Sequence, residues 1–71
     1  MTPLPAKTAL DAYFFEARCK ILDLAAIRDR IDRGEGTSEV RHDARLERIH
    51  QALQVLMDNS PNRAERIQQI F

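Results

Sequence analysis

Residues 8–36 read TALDAYFFEARCKILDLAAIRDRIDRGEG, and this stretch decides the fold. It is rich in helix formers, Thr8 and Asp11 resemble a capping box, and Gly34-Glu35-Gly36 is typical of a helix end. The pattern predicts one helix over about 8–33. At a rise of about 1.5 Å per residue, that helix is roughly 37 Å long. This is a long helix for a chain of 71 residues.

Two shorter helices are predicted after the glycines. Thr37 and Ser38 are good N-caps, so a second helix is expected over about 38–58. Ser60-Pro61 is typical of a helix start, which predicts a short third helix over about 61–70. Residues 1–7 contain two prolines and little periodicity, and they are expected to form a disordered leader. Residues 8–71 are then a single helical domain.

Apolar residues on the first two helices recur at spacings of three and four, which is the period of a bundle seam. Because the glycine-containing loop is short, these helices are expected to pack as an antiparallel hairpin. The sequence therefore predicts an all-α fold, with a long antiparallel helical hairpin plus a short third C-terminal helix. The predicted core residues are Leu10, Phe14, Ile21, Leu24, Leu46, Ile49, Leu53 and Leu56.

The first helix carries more apolar surface than one neighbouring helix can cover. At about 100° per residue, its apolar arc is roughly 200° wide, about twice the width of one buried face. Either the third helix covers the surplus and the protein is a monomer, or a second chain covers it. We favour a homodimer in which two hairpins form a four-helix bundle, with a larger protein partner as the other possibility. The predicted interface residues are Tyr13, Phe15, Leu22 and Ile27.

The charges of the chain give no reason to expect nucleic acid or anionic lipid as a ligand. Eleven Lys and Arg balance eleven Asp and Glu. Arginines cluster near the glycines, but acidic residues alternate with them, whereas a nucleic-acid surface shows an unneutralised basic stripe. A small nucleic-acid-associated regulator is therefore only a further alternative. No apolar stretch approaches the roughly 18–20 residues of a membrane span, and no signal peptide is apparent, so a cytoplasmic protein is expected.

One short motif has a possible chemical role. Glu47-Arg48-Ile49-His50 spells Glu-x-x-His, the motif that supplies a carboxylate and an imidazole in di-iron four-helix bundles. Glu47 lies about 100° from Leu46, away from the seam, and no catalytic pattern accompanies it. A metal-binding bundle is therefore the alternative function. The main prediction is a non-enzymatic interaction or oligomerisation module without a cofactor, in which His42, His50 and Cys19 have no assigned role.

Overall fold

The computed structural model describes residues 3–71, and within this range the chain is all-helical, without a strand. The helices of this range are α1 (Ala6–Arg33), α2 (Thr37–Val40), α3 (Ala44–Met57) and α4 (Arg63–Ile70). The prediction of an all-α fold is confirmed. The chain divides into two units, one ending at Glu35 and the other beginning at Gly36. The first contains α1 and the second contains the other three helices.

α1 begins at Ala6, two residues before the predicted start. Pro5 is the N-cap, and its carbonyl accepts a hydrogen bond from the Ala9 N–H at 3.0 Å. Asp11 does not cap the helix, because its Oδ2 instead accepts a hydrogen bond from Lys7 Nζ at 2.9 Å, one helical turn away. Residues 6 and 7 of the predicted leader are therefore helical. The first two residues of that leader lie outside the described residues.

α1 ends at Arg33, immediately before the first of the two glycines. Gly34 is extended, and its N–H donates to the Ile31 carbonyl at 3.2 Å. Gly36 has a φ of 74°, in the left-handed region that residues with a Cβ rarely adopt. A Cβ at this position would also lie 3.1 Å from Glu39 Oε2. Gly36, and not Gly34, is therefore the position that requires glycine in this turn.

The second predicted helix is not continuous over 38–58, and the prediction is wrong on this point. Helical structure stops at Val40 and resumes at Ala44. Asp43 is the reason, since its Oδ1 accepts the Arg45 backbone N–H at 2.8 Å and so caps a new helix. The Arg45 side chain also pairs with this carboxylate, with 3.0 Å between Nη2 and Oδ2. An aspartate side chain can accept a hydrogen bond from a nearby backbone N–H, and this bond competes with the continuation of a helix.

Asp58 organises the connection between α3 and α4. Its carboxylate accepts the Ser60 backbone N–H at 3.0 Å, which forms an Asx turn directly after α3. The same carboxylate receives both terminal nitrogens of Arg66, with 3.1 Å between Nη1 and Oδ1. Arg63 Nε donates to the Asp58 carbonyl at 3.2 Å. Two arginines of α4 are thereby tied to the C-terminal cap of α3.

α4 begins at Arg63, after the left-handed Asn62, and not at the predicted Pro61. The Asx turn holds the preceding residues outside the helix, which explains the later start. α4 packs against α3. The half-buried residues of α4 share one face, and they are Arg63, Arg66, Ile67 and Ile70.

No side chain of residues 3–71 is fully buried. A chain of this length buries only a modest fraction of its surface, so an incomplete core is physically reasonable. The predicted core residues fall into two groups. Leu24, Leu46, Ile49 and Leu53 are half-buried, whereas Leu10, Phe14, Ile21 and Leu56 are exposed. That these eight residues share one bundle core stays a prediction.

We expect the α3–α4 connection to loosen at acid pH. The hydrogen bonds from Arg66 lower the pKa of Asp58 from 3.8 to about 2. Because the pKa is lower in the folded state than in the unfolded state, ionised Asp58 contributes stability that is present above about pH 4 and lost as the pH falls towards about 2. NMR titration of the Asp58 carboxyl measures its protonation, and the amide chemical shifts of α4 over the same pH range measure the loosening of the connection.

A matched pair of variants separates the protonation of Asp58 from that of Asp43, the other carboxylate whose pKa is lowered. Hydrogen bonds from Arg45 also lower the pKa of Asp43 to about 2. Asp43→Asn should therefore keep the acid-induced shifts of α4, and Asp58→Asn should abolish them. If the α4 shifts of the Asp58→Asn protein still respond to pH as those of the wild type do, the Asp58–Arg66 pair does not hold this connection.

Candidate protein interface

α1 presents a wide apolar surface along most of its length. Phe14, Phe15 and Ile21 are 60%, 72% and 67% exposed. Extended apolar patches are uncommon on monomeric proteins and often mark interaction sites. In all, seven large apolar residues of this one helix are exposed, namely Leu10, Tyr13, Phe14, Phe15, Ile21, Leu22 and Ile27.

This surface has two parts. The seam stripe, defined here as Leu10, Phe14, Ala17 and Ile21, follows one line along the helix at spacings of four, three and four. The predicted interface residues border it, with Phe15 and Leu22 on one side and Tyr13 and Ile27 on the other, each within about 140° of Phe14. All four are exposed. The predicted interface and the first part of the predicted core therefore form one accessible surface of α1.

Charged side chains border the seam stripe. Lys7 Nζ lies 2.9 Å from Asp11 Oδ2 beside the stripe, whereas Lys20 Nζ lies 3.3 Å from Glu16 Oε1, which is about 160° from Phe14 around the helix. Arg18, which lies about 40° from Phe14 around the helix axis, forms no ion pair with any residue in the described part of the chain. Sequence reasoning treated Asp11 as part of a helix cap and gave Arg18 no role. The 100° spacing along the helix is the signal that places both beside the stripe.

The alternative metal site depends on Glu47 and His50, one helical turn apart on α3. Glu47 is exposed and His50 is half-buried. His42 lies exposed in the turn between α2 and α3. Cys19 is half-buried and free. Over residues 3–71, no group of three or more His, Cys, Asp or Glu side chains is arranged to hold a metal ion.

We expect protein purified without chelator to contain no stoichiometric iron, manganese or zinc, because Glu47 and His50 of one chain supply too few ligands for a closed site. Elemental analysis measures this. About one metal ion per chain in the wild type, lost in the Glu47→Ala/His50→Ala double variant, would contradict this reading and favour the metal-binding bundle.

Comparison of the chain with protein-family models, curated proteins and solved structures finds no match. Among the helices of residues 3–71, none has an apolar stretch of the length that a bilayer crossing requires. Function is therefore inferred from the α1 surface itself.

Proposed function

We propose that the chain is a non-enzymatic helical interaction module in which α1 pairs with α1 of a second copy. The observation that carries this proposal is the exposure of seven large apolar side chains on α1. An amphipathic helix normally covers such a face with another helix or with a partner protein. The exposed stretch runs from Leu10 to Ile27, most of the helix.

The rest of the chain offers limited apolar cover for this face. α4 already turns Ile67 and Ile70 towards its half-buried side, where it packs on α3. Its opposite side carries exposed Glu65, Gln68 and Gln69. The apolar arc of α1, about 200° wide, has room for two helical neighbours. In the proposed four-helix bundle, the seam stripe of α1 faces the shared interior, where it meets α1 of the second chain, and α3 packs beside α1 in an antiparallel hairpin.

The expected strength of this association is moderate. Fully covering one exposed Phe or Leu contributes about 1.5–3 kcal/mol. Each chain brings several such side chains, but association costs translational and rotational entropy and the ordering of side chains. A dissociation constant in the micromolar range is consistent with this balance. It corresponds to a standard free energy of binding of about −8 kcal/mol.

Hydroxyl-radical footprinting at increasing protein concentration tests the proposal. Phe14, Tyr13 and Phe15 should react readily in dilute protein and become protected at high micromolar concentration, because the second copy excludes solvent from them. Phe71, which follows α4, is 67% exposed and serves as an internal control that stays reactive throughout.

The pattern of protection distinguishes the possible outcomes. Protection confined to α1 supports pairing through this helix. Equal reactivity of the α1 residues at every concentration, with Phe71 unchanged, overturns self-association and leaves a different protein as the occupant of the surface. Protection of α3 instead of α1 contradicts the choice of helix.

A further inference from the structure

Resting on the proposed pairing of α1 with itself, we infer that the two α1 helices run antiparallel in one register, fixed by reciprocal ion pairs between Asp11 of each copy and Arg18 of the other. The inference follows from the order of apolar and charged residues along the exposed face of α1. It names the partner surface, the relative direction of the two helices and the residues that align them.

The apolar layers of this register place the largest stripe residue, Phe14, against the smallest, Ala17, and pair the two aliphatic residues Leu10 and Ile21. The spacing of the seam stripe makes Phe14 and Ile21 the a positions of a heptad pattern, and Leu10 and Ala17 the d positions. In an antiparallel pair, an a residue of one helix lies opposite a d residue of the other. Phe14 then faces Ala17 of the second copy, and Leu10 faces Ile21. Large residues opposite small ones fill the interface without voids.

The charged edge of the stripe complements itself in the same register. Asp11 and Arg18 each follow a d position, so they lie on the same edge of the helix. Antiparallel packing brings this edge of one helix against the same edge of the other. Asp11 of each copy then meets Arg18 of the other, and two-fold symmetry forms the pair twice.

The side chains of the single chain are available for these pairs. Arg18 makes no ion pair with the residues described here. Asp11 binds Lys7 through Oδ2, at 2.9 Å, which leaves Oδ1 as an acceptor for a guanidinium. On the opposite edge, the register places Tyr13 near Lys20 of the second copy, although the Lys20 ammonium is paired with Glu16 at 3.3 Å in the single chain.

The neighbouring antiparallel registers oppose like charges. A shift by one heptad places Arg18 against Arg18 and Lys20 against Lys20 of the second copy. A further shift places Asp11 against Asp32. Like charges that face each other across an interface destabilise it. The register that pairs Asp11 with Arg18 is therefore favoured over the registers that oppose like charges.

A parallel pair is disfavoured for a related reason. Parallel packing places each a residue opposite its own copy, and Arg28 occupies the a position that follows Ile21. Two Arg28 side chains would then meet inside the apolar line. The edge residues would bring no opposite charges together, because Lys20 would face Ala25 and Ile27 would face Asp32. The antiparallel register instead keeps Arg28 beyond the paired apolar layers and meets only one charged a residue per chain, Lys7, which lies at the end of the stripe opposite Leu24 of the second copy.

Charge exchange tests the inference on the full chain by sedimentation velocity at low ionic strength. Asp11→Arg and Arg18→Asp should each weaken self-association by about tenfold or more, because each converts both attractive pairs into repulsive ones. Mixing the two variants should restore association as a heterodimer, since the first variant carries two arginines on this edge and the second carries two aspartates. The Asp11→Arg/Arg18→Asp double variant should restore the homodimer.

Asp23→Lys is the matched control, because it also reverses one charge but lies about 180° from Phe14 around the helix. It should self-associate like the wild type. If the wild type dimerises but the mixed variants form no heterodimer and the double variant stays weak, the register is wrong while the proposed pairing through α1 stands. A wild type that fails to associate at any concentration overturns both.

Discussion

Phe14→Glu should abolish self-association, weakening it at least about 100-fold. Phe14 is 60% exposed in the single chain and faces Ala17 of the second copy in the inferred register. A carboxylate there must either lose its hydration in an apolar layer or hold the two helices apart, and each outcome costs several kcal/mol. Size-exclusion chromatography with light scattering, over a range of concentrations, measures the loss.

Ala12→Glu provides the control, because it adds the same carboxylate on the side of α1 away from Phe14. Its mass should stay that of the wild type, and the circular dichroism of both variants reports whether α1 remains helical. The Phe15→Glu/Leu22→Lys double variant separates the seam stripe from the predicted flank. If this pair abolishes association and Phe14→Glu leaves it intact, the flank and not the seam is the main contact surface.

Leu24→Ala and Leu53→Ala should each destabilise the assembled protein by about 2–5 kcal/mol. Both side chains are half-buried in the single chain, and the proposed bundle buries them fully. A loss of this size lowers the melting temperature by at least about 8 °C in a domain of this length. Thermal melts followed by circular dichroism, at one fixed protein concentration, measure it.

Gln51→Ala is the matched control for this pair of variants, because Gln51 is exposed on α3 and lies about 160° from Leu53 around the helix. Its melt should coincide with that of the wild type. If neither leucine variant shifts the melt, Leu24 and Leu53 do not lie in a shared core, and the proposed hairpin of α1 and α3 is wrong.

The sequence was sufficient to predict the helical class, because periodic apolar residues and few helix breakers leave no competing structure. It was not sufficient to place the helix starts. Asp43 restarts the second helix through one hydrogen bond from the Arg45 backbone N–H. Asp58 delays α4 by accepting the Ser60 N–H. In both cases a carboxylate accepts a backbone N–H that a helical carbonyl would otherwise accept. The spacing of apolar residues does not indicate where this happens.

The candidate surface was predictable in part. The surplus of apolar residues on α1, including Phe15 and Leu22, follows from composition and spacing alone. Which of them stay exposed in a single chain does not, because burial depends on which surfaces meet. Leu10 and Ile21, for example, are exposed in the single chain, and their place in a bundle core stays a prediction. The order of charges that aligns Asp11 with Arg18 is present in the sequence. An ion pair between two copies can be inferred from it only once the seam stripe is known to be accessible.

Sedimentation equilibrium of the wild-type chain tests the central claim most directly. We expect a reversible equilibrium between the 8.2 kDa monomer and a species of twice that mass, with half of the protein dimeric in the micromolar range. A single 8.2 kDa species up to high micromolar concentration would contradict the claim that a second copy covers α1.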